Sequence, residues 1–342
     1  MIGRRNEHSL SNKTGGHHLS PDQMPVMLFF MFQENFPLKQ ISHYKIGGKA
    51  RYFFEAKNAE EIIKAIEKAR QLGVPVFILA GASNVLIDDL GVNGLVIKPN
   101  IKSFEILGQK VRAGVGVSMN QLLNNLMAEN LSGLEWSAGI PGTIGGAIYG
   151  NAGAFGKEMK DIIESVISLD ISGKNPKVIR RENKECDFNY RSSIFKEQKG
   201  REIILEAVLK LAEGDIQKIK EEAEKNINYR FEKHPMEHPS LGSTFKNVSV
   251  KRFKTEFIEK TEIKKVIKID PFPMIPAAYL IAEAGLKGIF SDGAMISPKH
   301  TNFIVNVLEA GASDVKKLIN LIKNEVNKKF GVELEEDIEY LS

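Results

Sequence analysis

Between Gly139 and Gly156 the chain reads GIPGTIGGAIYGNAGAFG, in which seven of eighteen residues are glycine and none is charged. A backbone so stripped of side chains suits close approach, either to another segment of chain or to a ligand. Phosphate loops of the G-x-x-x-x-G-K-[ST] type are excluded, because no lysine follows these glycines. The G-x-G-x-x-G dinucleotide pattern is absent too, as is an acidic residue about twenty positions beyond an early glycine turn. A second small-residue stretch, AGASNVLI over Ala80–Ile87, follows the apolar run VPVFILA. Two such loops can offer backbone N–H groups to a pyrophosphate from both sides without a cation. Tight turns and close backbone packing would account for the same glycines equally well.

The 342 residues, 42% hydrophobic and 26% charged, have room for two or three domains with cores of their own. The formal net charge of +4 is small, and pairs such as Arg180-Arg181, Lys316-Lys317 and Lys328-Lys329 are dispersed. They read as solvated faces, so no nucleic-acid partner is expected. A single cysteine, Cys186, excludes an intramolecular disulfide and a Cys-rich metal site and points to a cytoplasmic protein. The apolar run VMLFFMF is too short to span a bilayer, and no signal-type cleavage site follows it, so no membrane insertion is expected. The start, MIGRRNEHSLSNKTGGHHLSPDQMP, is polar and unperiodic. It is read, to residue 38, as a disordered extension in which His17-His18 belongs to a tail. Met31 could serve as the true start.

Regular patterning begins near Ile41. ARYFFEA reads as a strand, Asn58 and Glu61 form a capping-box-like start, and Ile62, Ile63, Ile66, Ala69 and Leu72 recur at helical spacing until Gly73. VPVFILA and GLVIKP read as strands buried on both faces. Residues 39–100 thus form a small α/β unit. In residues 101–213, SFEILGQKVRAGVGV predicts a hairpin, Ser118 and Gln121 cap a helix, and two further strand patterns follow. This region is read as mostly β with one or two helices. DIQKIKEEAEKNINYRFEKH reads as a charged spacer helix opening a third region over 214–330, with a helix at AAYLIAEAGLKG, a strand at NFIVNVL and a final long helix. A terminal strand over 331–342 completes the chain.

YKIGGKARYFFEA, FILAGASNVLI and GLEWSAGIPGTIGGAIYGNAGAFG resemble the flavin-binding segments of the UDP-N-acetylenolpyruvoylglucosamine reductase family. The likeness continues in order through NYRSSIFK, HPSLGSTFKN and AGLKG…GAMISPKHTNFIVN, over about Ile41 to Leu341. It implies an α+β protein: a two-subdomain FAD-binding fold of the vanillyl-alcohol-oxidase type, then a C-terminal α/β substrate domain and a last strand carrying an acidic catalytic residue. It also implies FAD and NADPH as cofactors, and reduction of UDP-N-acetylglucosamine enolpyruvate to UDP-N-acetylmuramate in peptidoglycan precursor synthesis. By the motif, Gly81, Ala82, Ser83, Asn84 and Val85 would line the cofactor together with Gly142, Gly145, Gly146, Asn151 and Gly153. Neither loop holds a histidine or cysteine, so non-covalent attachment is expected.

Hydride delivery to the vinyl carbon builds negative charge on the adjacent carbon and its carboxylate, which needs a cation and then an acid. The resemblance assigns the carboxylate clamp to Arg191, in NYRSSIFK, and the proton to Ser243, in GSTFKN. The family's late glutamate follows F-G-V-x-L-E, where this chain reads FGVELEEDIEYL. Aligning Leu334 and Ile338 places Asp337 there, shorter by about 1.5 Å. Strand alternation would set Asp337 with Glu335 and turn Glu336 away, with Glu336 the alternative if the strand slips by one. Asp337 is expected to be protonated, its pKa raised by burial. Tyr190, Lys246, Asn247 and His300 are expected to bind substrate diphosphate or nicotinamide. Arg252–Pro276 has no long tyrosine-bearing loop, so the chain resembles the shorter form of the family. Another flavin-dependent oxidoreductase of the same fold, acting on a carbohydrate or alcohol, is the alternative, but it would lack the YRSSIFK and GSTFKN pair. A cofactor-binding protein without turnover is a third reading. The His17-His18 pair could bind a metal loosely but reads better as part of the tail, so no metal site is expected.

Overall fold

Asn58 does what its position predicts. In a computed structural model that describes residues 32–260, 262–269 and 271–342, its side chain accepts from the Glu61 N–H and starts helix α1 (Ala59–Leu72). Gly73, at φ 64°, ends that helix in the left-handed region where a side chain would be strained. The helix buries Ile62, Ala65, Ile66 and Ala69 on one stripe. The expectations for the first 31 residues, including His17-His18 and Met31, lie outside the described residues.

Helix α1 covers a four-stranded sheet made of β1 (Gln33–Pro37), β2 (Lys49–Ala56), β3 (Val76–Ile78) and β5 (Val92–Pro99), in the order β1-β2-β5-β3. The crossovers make β2, β5 and β3 parallel, with Phe53 opposite Val96 and Phe77 opposite the same residue. β1 pairs antiparallel on β2, with Phe36 stacked on Phe53 at 4.0 Å. The disordered extension expected to residue 38 is therefore corrected for residues 33–37, which are an edge strand. Their few apolar residues hid the pattern, since an edge strand here buries only Phe36 and Pro37 in part.

β5 is buried along most of its length, as expected, but β3 is not: Val76 and Phe77 are half-buried and Ile78 is 36% exposed. β3 sits at the sheet edge, and its outer side faces a cleft rather than a helix layer. Between the two runs lies the short β4 (Val85–Ile87), which takes no part in this sheet.

The second sheet is antiparallel and built from β6 (Phe104–Leu107), β7 (Lys110–Gly114), β8 (Ile163–Asp170), β9 (Lys177–Glu182) and β10 (Glu202–Lys210), in the order β9-β8-β10-β7-β6. Helix α2 (Met119–Ala128), capped by Ser118, packs Leu122, Leu123 and Leu126 into its core with Trp136, Ile144 and Phe195. The glycine-rich stretch forms a turn and a short helix, α3 (Ile144–Tyr149), and α4 (Ile194–Glu197) adds one more turn.

Helix α5 (Ile216–Lys233) is more than a spacer. Its buried stripe holds Ile219 and Ala223 but also Asn226 and Arg230. Asn226 donates to the Glu135 carbonyl, and Arg230 donates to the carbonyls of Trp136 and Ala138, at 2.8–3.2 Å. Polar anchoring of exposed carbonyls is invisible to a hydrophobic periodicity, so the helix reads as solvated while docking on the second unit.

The third core gathers around α7 (Ala312–Phe330), α6 (Ala277–Glu283) and a small antiparallel sheet of β11 (Phe290–Ser291), β12 (Ala294–Ile296) and β13 (Ile304–Asn306). The last strand, β14 (Glu339–Leu341), does not join it. β14 runs parallel to β4, with Glu339 opposite Val85 and Leu341 opposite Ile87. Chain end and first small-residue loop are thereby fastened together. Among the described residues no helix is long and apolar enough to cross a membrane.

Candidate active site

The two small-residue loops meet. A Cβ added to Gly81 would lie 2.8 Å from the Gly142 Cα, and one on Gly142, at φ 114°, would lie 2.6 Å from the Ser83 Oγ. The glycines at this crossing serve close packing of one loop on the other. Gly146 is different, because a Cβ there would meet only Ala80, at 3.8 Å, on the open side. Ala82 takes a left-handed φ of 49°. Among the described residues the backbone N–H groups of Gly81, Ala82, Ser83 and Asn84 find no protein acceptor, and the buried Thr143 Oγ1 has no partner either. Consecutive free N–H groups around a left-handed residue are the geometry of an anion nest.

These loops border a cleft of about 1530 Å³, lined also by Val76, Phe77 and Ile78 of β3 and by Ile140. Sites for one small ligand run to ~300–1000 Å³, so this space suits a long cofactor with a second ligand beside it. Polar nest, apolar strand edge and length together fit FAD, whose diphosphate the N–H groups could hold and whose rings the apolar side chains could cover. His43 also lines the cleft, its backbone N–H donating to the Ala82 carbonyl at 3.2 Å. Gly145, Gly153 and Val85 line the cleft with the residues already named.

Arg191 enters from a two-residue turn closed by reciprocal bonds between Asn189 and Ser192, at 3.0 and 3.1 Å. Its φ of 56° is unfavourable for a non-glycine residue and marks a backbone held against its preference. The guanidinium donates through Nη2 to the Gly153 carbonyl at 2.9 Å and through Nε to the Asp337 carboxylate at 3.2 Å. These side chains are 26% and 14% exposed. Burial pushes the Asp337 pKa above the usual carboxylate range, against the opposite pull of Arg191, Lys196 and Lys246.

Asp337 is 94 residues from Ser243 in sequence but close in backbone: its N–H donates to the Thr244 carbonyl at 2.8 Å. Asn302 clamps the same strand-like segment, accepting from Phe245 N–H at 3.0 Å and donating to the Phe245 carbonyl at 2.9 Å. Ser243 follows Gly242, at φ 78°, and is exposed on the cleft wall. Asn84 donates its side chain to the Asp337 carbonyl, so the first loop also holds the acidic residue. Asp337 precedes β14 and lies in an extended run paired at Phe245 and Glu336, which corrects its placement in a regular terminal strand. Glu336 turns away to Lys323 and the Tyr340 hydroxyl, so the register slip that would have made it the alternative does not occur.

Tyr190, Asn247 and His300 line the cleft, whereas Lys246 stands behind its wall, paired with Glu335. Tyr190 packs edge-on to Phe272 at 5.3 Å, and its hydroxyl accepts from the Asn247 N–H. His300 is partly buried in the cleft lining. Among the described residues its buried Nδ1 has no hydrogen-bond partner, and His234 lies edge-on at 5.2 Å. Burial pushes both imidazoles down to about 4. Asn151 departs from expectation: it is fully buried, lines no part of the cleft, and spends its amide on protein partners. Sequence reasoning passed over Asn302 and Lys196, which sit inside the quoted KHTNFIVN and NYRSSIFK motifs, and His234, which carries no local signal of its own.

Two family models match stretches of the chain. Residues 50–180 match a family model described as FAD binding domain, and residues 234–341 match one described as UDP-N-acetylenolpyruvoylglucosamine reductase, C-terminal domain. The reductase of that name from Caldanaerobacter subterraneus subsp. tengcongensis is 37% identical over 89% of this chain and 91% of its own length. The chain belongs to the UDP-N-acetylenolpyruvoylglucosamine reductase family. The Carboxydothermus hydrogenoformans reductase is 38% identical over 90% of this chain and 93% of its own. The crystal structure of the Thermus caldophilus reductase superposes with a TM-score of 0.70 at 28% identity, covering 91% of this chain and all of that one. Like other members, this one is an FAD-dependent oxidoreductase with the two-subdomain FAD-binding fold its sequence implied. Among the described residues no group of three or more histidine, cysteine, aspartate or glutamate side chains is arranged to hold a metal.

Proposed function

We propose that this family member reduces the enolpyruvyl group of UDP-N-acetylglucosamine enolpyruvate with NADPH, and that Arg191, Ser243 and Asp337 carry the substrate half of the reaction. The observation that supports this most is that Arg191 and Asp337 pair at 3.2 Å in the cleft, while the backbone bond from Asp337 to Thr244 ties the neighbouring Ser243, exposed in the same cleft, to that pair. The small-residue loops would hold FAD without a covalent bond, and FAD so held would supply hydride-transfer chemistry between NADPH and the vinyl group.

Arg191 binds the substrate carboxylate through its planar fork and stays charged throughout, so it stabilises the enediolate as charge builds there. Ser243 gives its proton to the adjacent carbon. A hydroxyl is a weak acid, but the enediolate is a strong base, so placement matters more than acidity. Asp337, whose pKa burial raises, takes the proton-holding place beside the enediolate, where an ionised carboxylate would repel the developing charge. Tyr190 and Asn247 orient the sugar nucleotide, His300 faces its anionic part, and Lys246 acts from behind on Asp337. Gly81–Val85 with Gly142, Gly145, Gly146 and Gly153 hold the cofactor. A lone unpaired cysteine fits a reducing cytoplasm.

Anaerobic mixing tests the proposal directly. NADPH should bleach the yellow protein, and UDP-N-acetylglucosamine enolpyruvate should restore the colour without oxygen. Recovery only in air would mark an oxidase, and failure to bleach would mark a binder without turnover.

A further inference from the structure

Asn151 sits at φ 43°, a left-handed conformation that asparagine tolerates better than most side chains, and its side chain is wholly enclosed. Both amide hydrogens are committed: Nδ2 donates to the Glu158 Oε2 at 3.1 Å and to the Asn189 carbonyl at 3.0 Å. Oδ1 accepts from the Lys160 N–H at 3.0 Å. An amide has two N–H hydrogens, so no donor remains for a cofactor.

The Asn189 carbonyl is the one that also receives the Ser192 N–H, closing the turn whose tip is Tyr190-Arg191. Two further bonds pin this turn to the glycine-rich segment. The Ser193 Oγ donates to the Tyr149 carbonyl at 2.7 Å, and Arg191 donates to the Gly153 carbonyl at 2.9 Å. Asn151 lies between these two anchor points in sequence. Of the three ties, it alone acts on the carbonyl that closes the turn.

We propose that Asn151 is a positioning residue for the reducing step, fixing the turn that presents the Arg191 guanidinium to the substrate carboxylate. The proposal rests on the role given to Arg191 above. Its physical basis is that Arg191 is held at an unfavourable φ, so the turn stays as it is only while its surroundings over-determine it. Releasing the Asn189 carbonyl lets the tip relax, and a shift on the order of 1 Å at a charge-stabilising group slows a reaction by ~100-fold.

The test uses the full-length holoenzyme and separates the two half-reactions by anaerobic stopped flow. Asn151→Asp keeps the volume but removes both donors, setting a carboxylate against Glu158 and the Asn189 carbonyl. Reoxidation by the enolpyruvyl substrate should slow by about 10- to 100-fold, while FAD affinity and the rate of bleaching by NADPH stay unchanged. Pairing Asn151→Asp with Glu158→Gln returns a donor between positions 151 and 158 but none to Asn189. This double variant should regain thermal stability yet remain slow in reoxidation. Recovery of reoxidation together with stability would reduce Asn151 to a structural part, and loss of FAD affinity or slow bleaching would make it a cofactor contact. Either result overturns the proposal. Arg191→Lys serves as the reference: in that background Asn151→Asp should add nothing further, because the two act as a unit. If Arg191→Lys is slow and Asn151→Asp is not, the positioning role fails alone. If Arg191→Lys itself reoxidises normally, the reading of Arg191 fails and takes the proposal with it.

Discussion

Replacing Arg191 by lysine keeps a positive charge and removes the fork, which makes it the sharpest probe of the substrate half-reaction. The guanidinium spends Nη2 on the Gly153 carbonyl at 2.9 Å and Nε on Asp337 at 3.2 Å, leaving its remaining donors for the substrate. A lysine ammonium has no planar edge and can satisfy at most part of that set. Loss of one donor aimed at developing charge in a water-poor site raises a barrier by about 2.7–4 kcal/mol, or ~100- to 1000-fold in rate. Reoxidation by the enolpyruvyl substrate is therefore expected to fall by that factor, with bleaching by NADPH unaffected, because the first half-reaction makes no demand on a carboxylate clamp. Anaerobic stopped flow at the flavin absorbance band reads both rates in one instrument. Equal slowing of the two halves, or reoxidation within about threefold of the parent (well under 1 kcal/mol), would refute the assignment.

Asp337→Asn should slow reoxidation by ~100-fold, since an amide does not reproduce the carboxyl proton at that place. Its stability effect has a definite sign. Burial raises the folded-state pKa of Asp337, so its favourable contribution is complete below the unfolded-state pKa and is lost as pH rises through the folded one. The asparagine variant should therefore gain in Tm relative to the parent at pH 8 and lose that advantage by pH 4, which a pH series of thermal melts measures. Ser243→Ala should bleach normally and reoxidise ~100- to 10,000-fold more slowly, with the solvent deuterium effect on reoxidation altered. Gly142→Ala places a methyl 2.6 Å from the Ser83 Oγ at φ 114°, a strain of about 1–3 kcal/mol. FAD affinity should fall by ~10- to 100-fold, as read by flavin fluorescence titration, while the second sheet remains folded by circular dichroism.

Much of the fold was legible because it is local. Asn58, Gly73 and Ser118 act within a few residues of themselves, and the strand patterns of β2, β5 and β10 depend on alternation and burial that any stretch of sequence displays. Three misreadings share a cause. β1 reads as tail and α5 as spacer because neither buries a long apolar stripe. The apolar β3 reads as buried on both faces, yet one of its sides is open to the cleft. In each, what a segment packs against, or fails to pack against, is a property of distant chain. Asn151 is the same lesson inside the site: a motif placed it near the cofactor, and its hydrogen bonds place it behind the arginine turn.

The amino-acid order alone determined which chemistry this protein could carry: two uncharged small-residue loops, a guanidinium in NYRSSIFK, a hydroxyl in GSTFKN and a carboxyl near the end, all members of recognisable local motifs. Only the folded chain decided that Asp337 and not Glu336 meets Arg191. That choice depends on β14 lying parallel to β4 and on the pairing of Glu336 with Phe245, contacts between residues more than ninety positions apart. Alternation tells which neighbours share a face, but which face is inward is settled by what comes to lie against it.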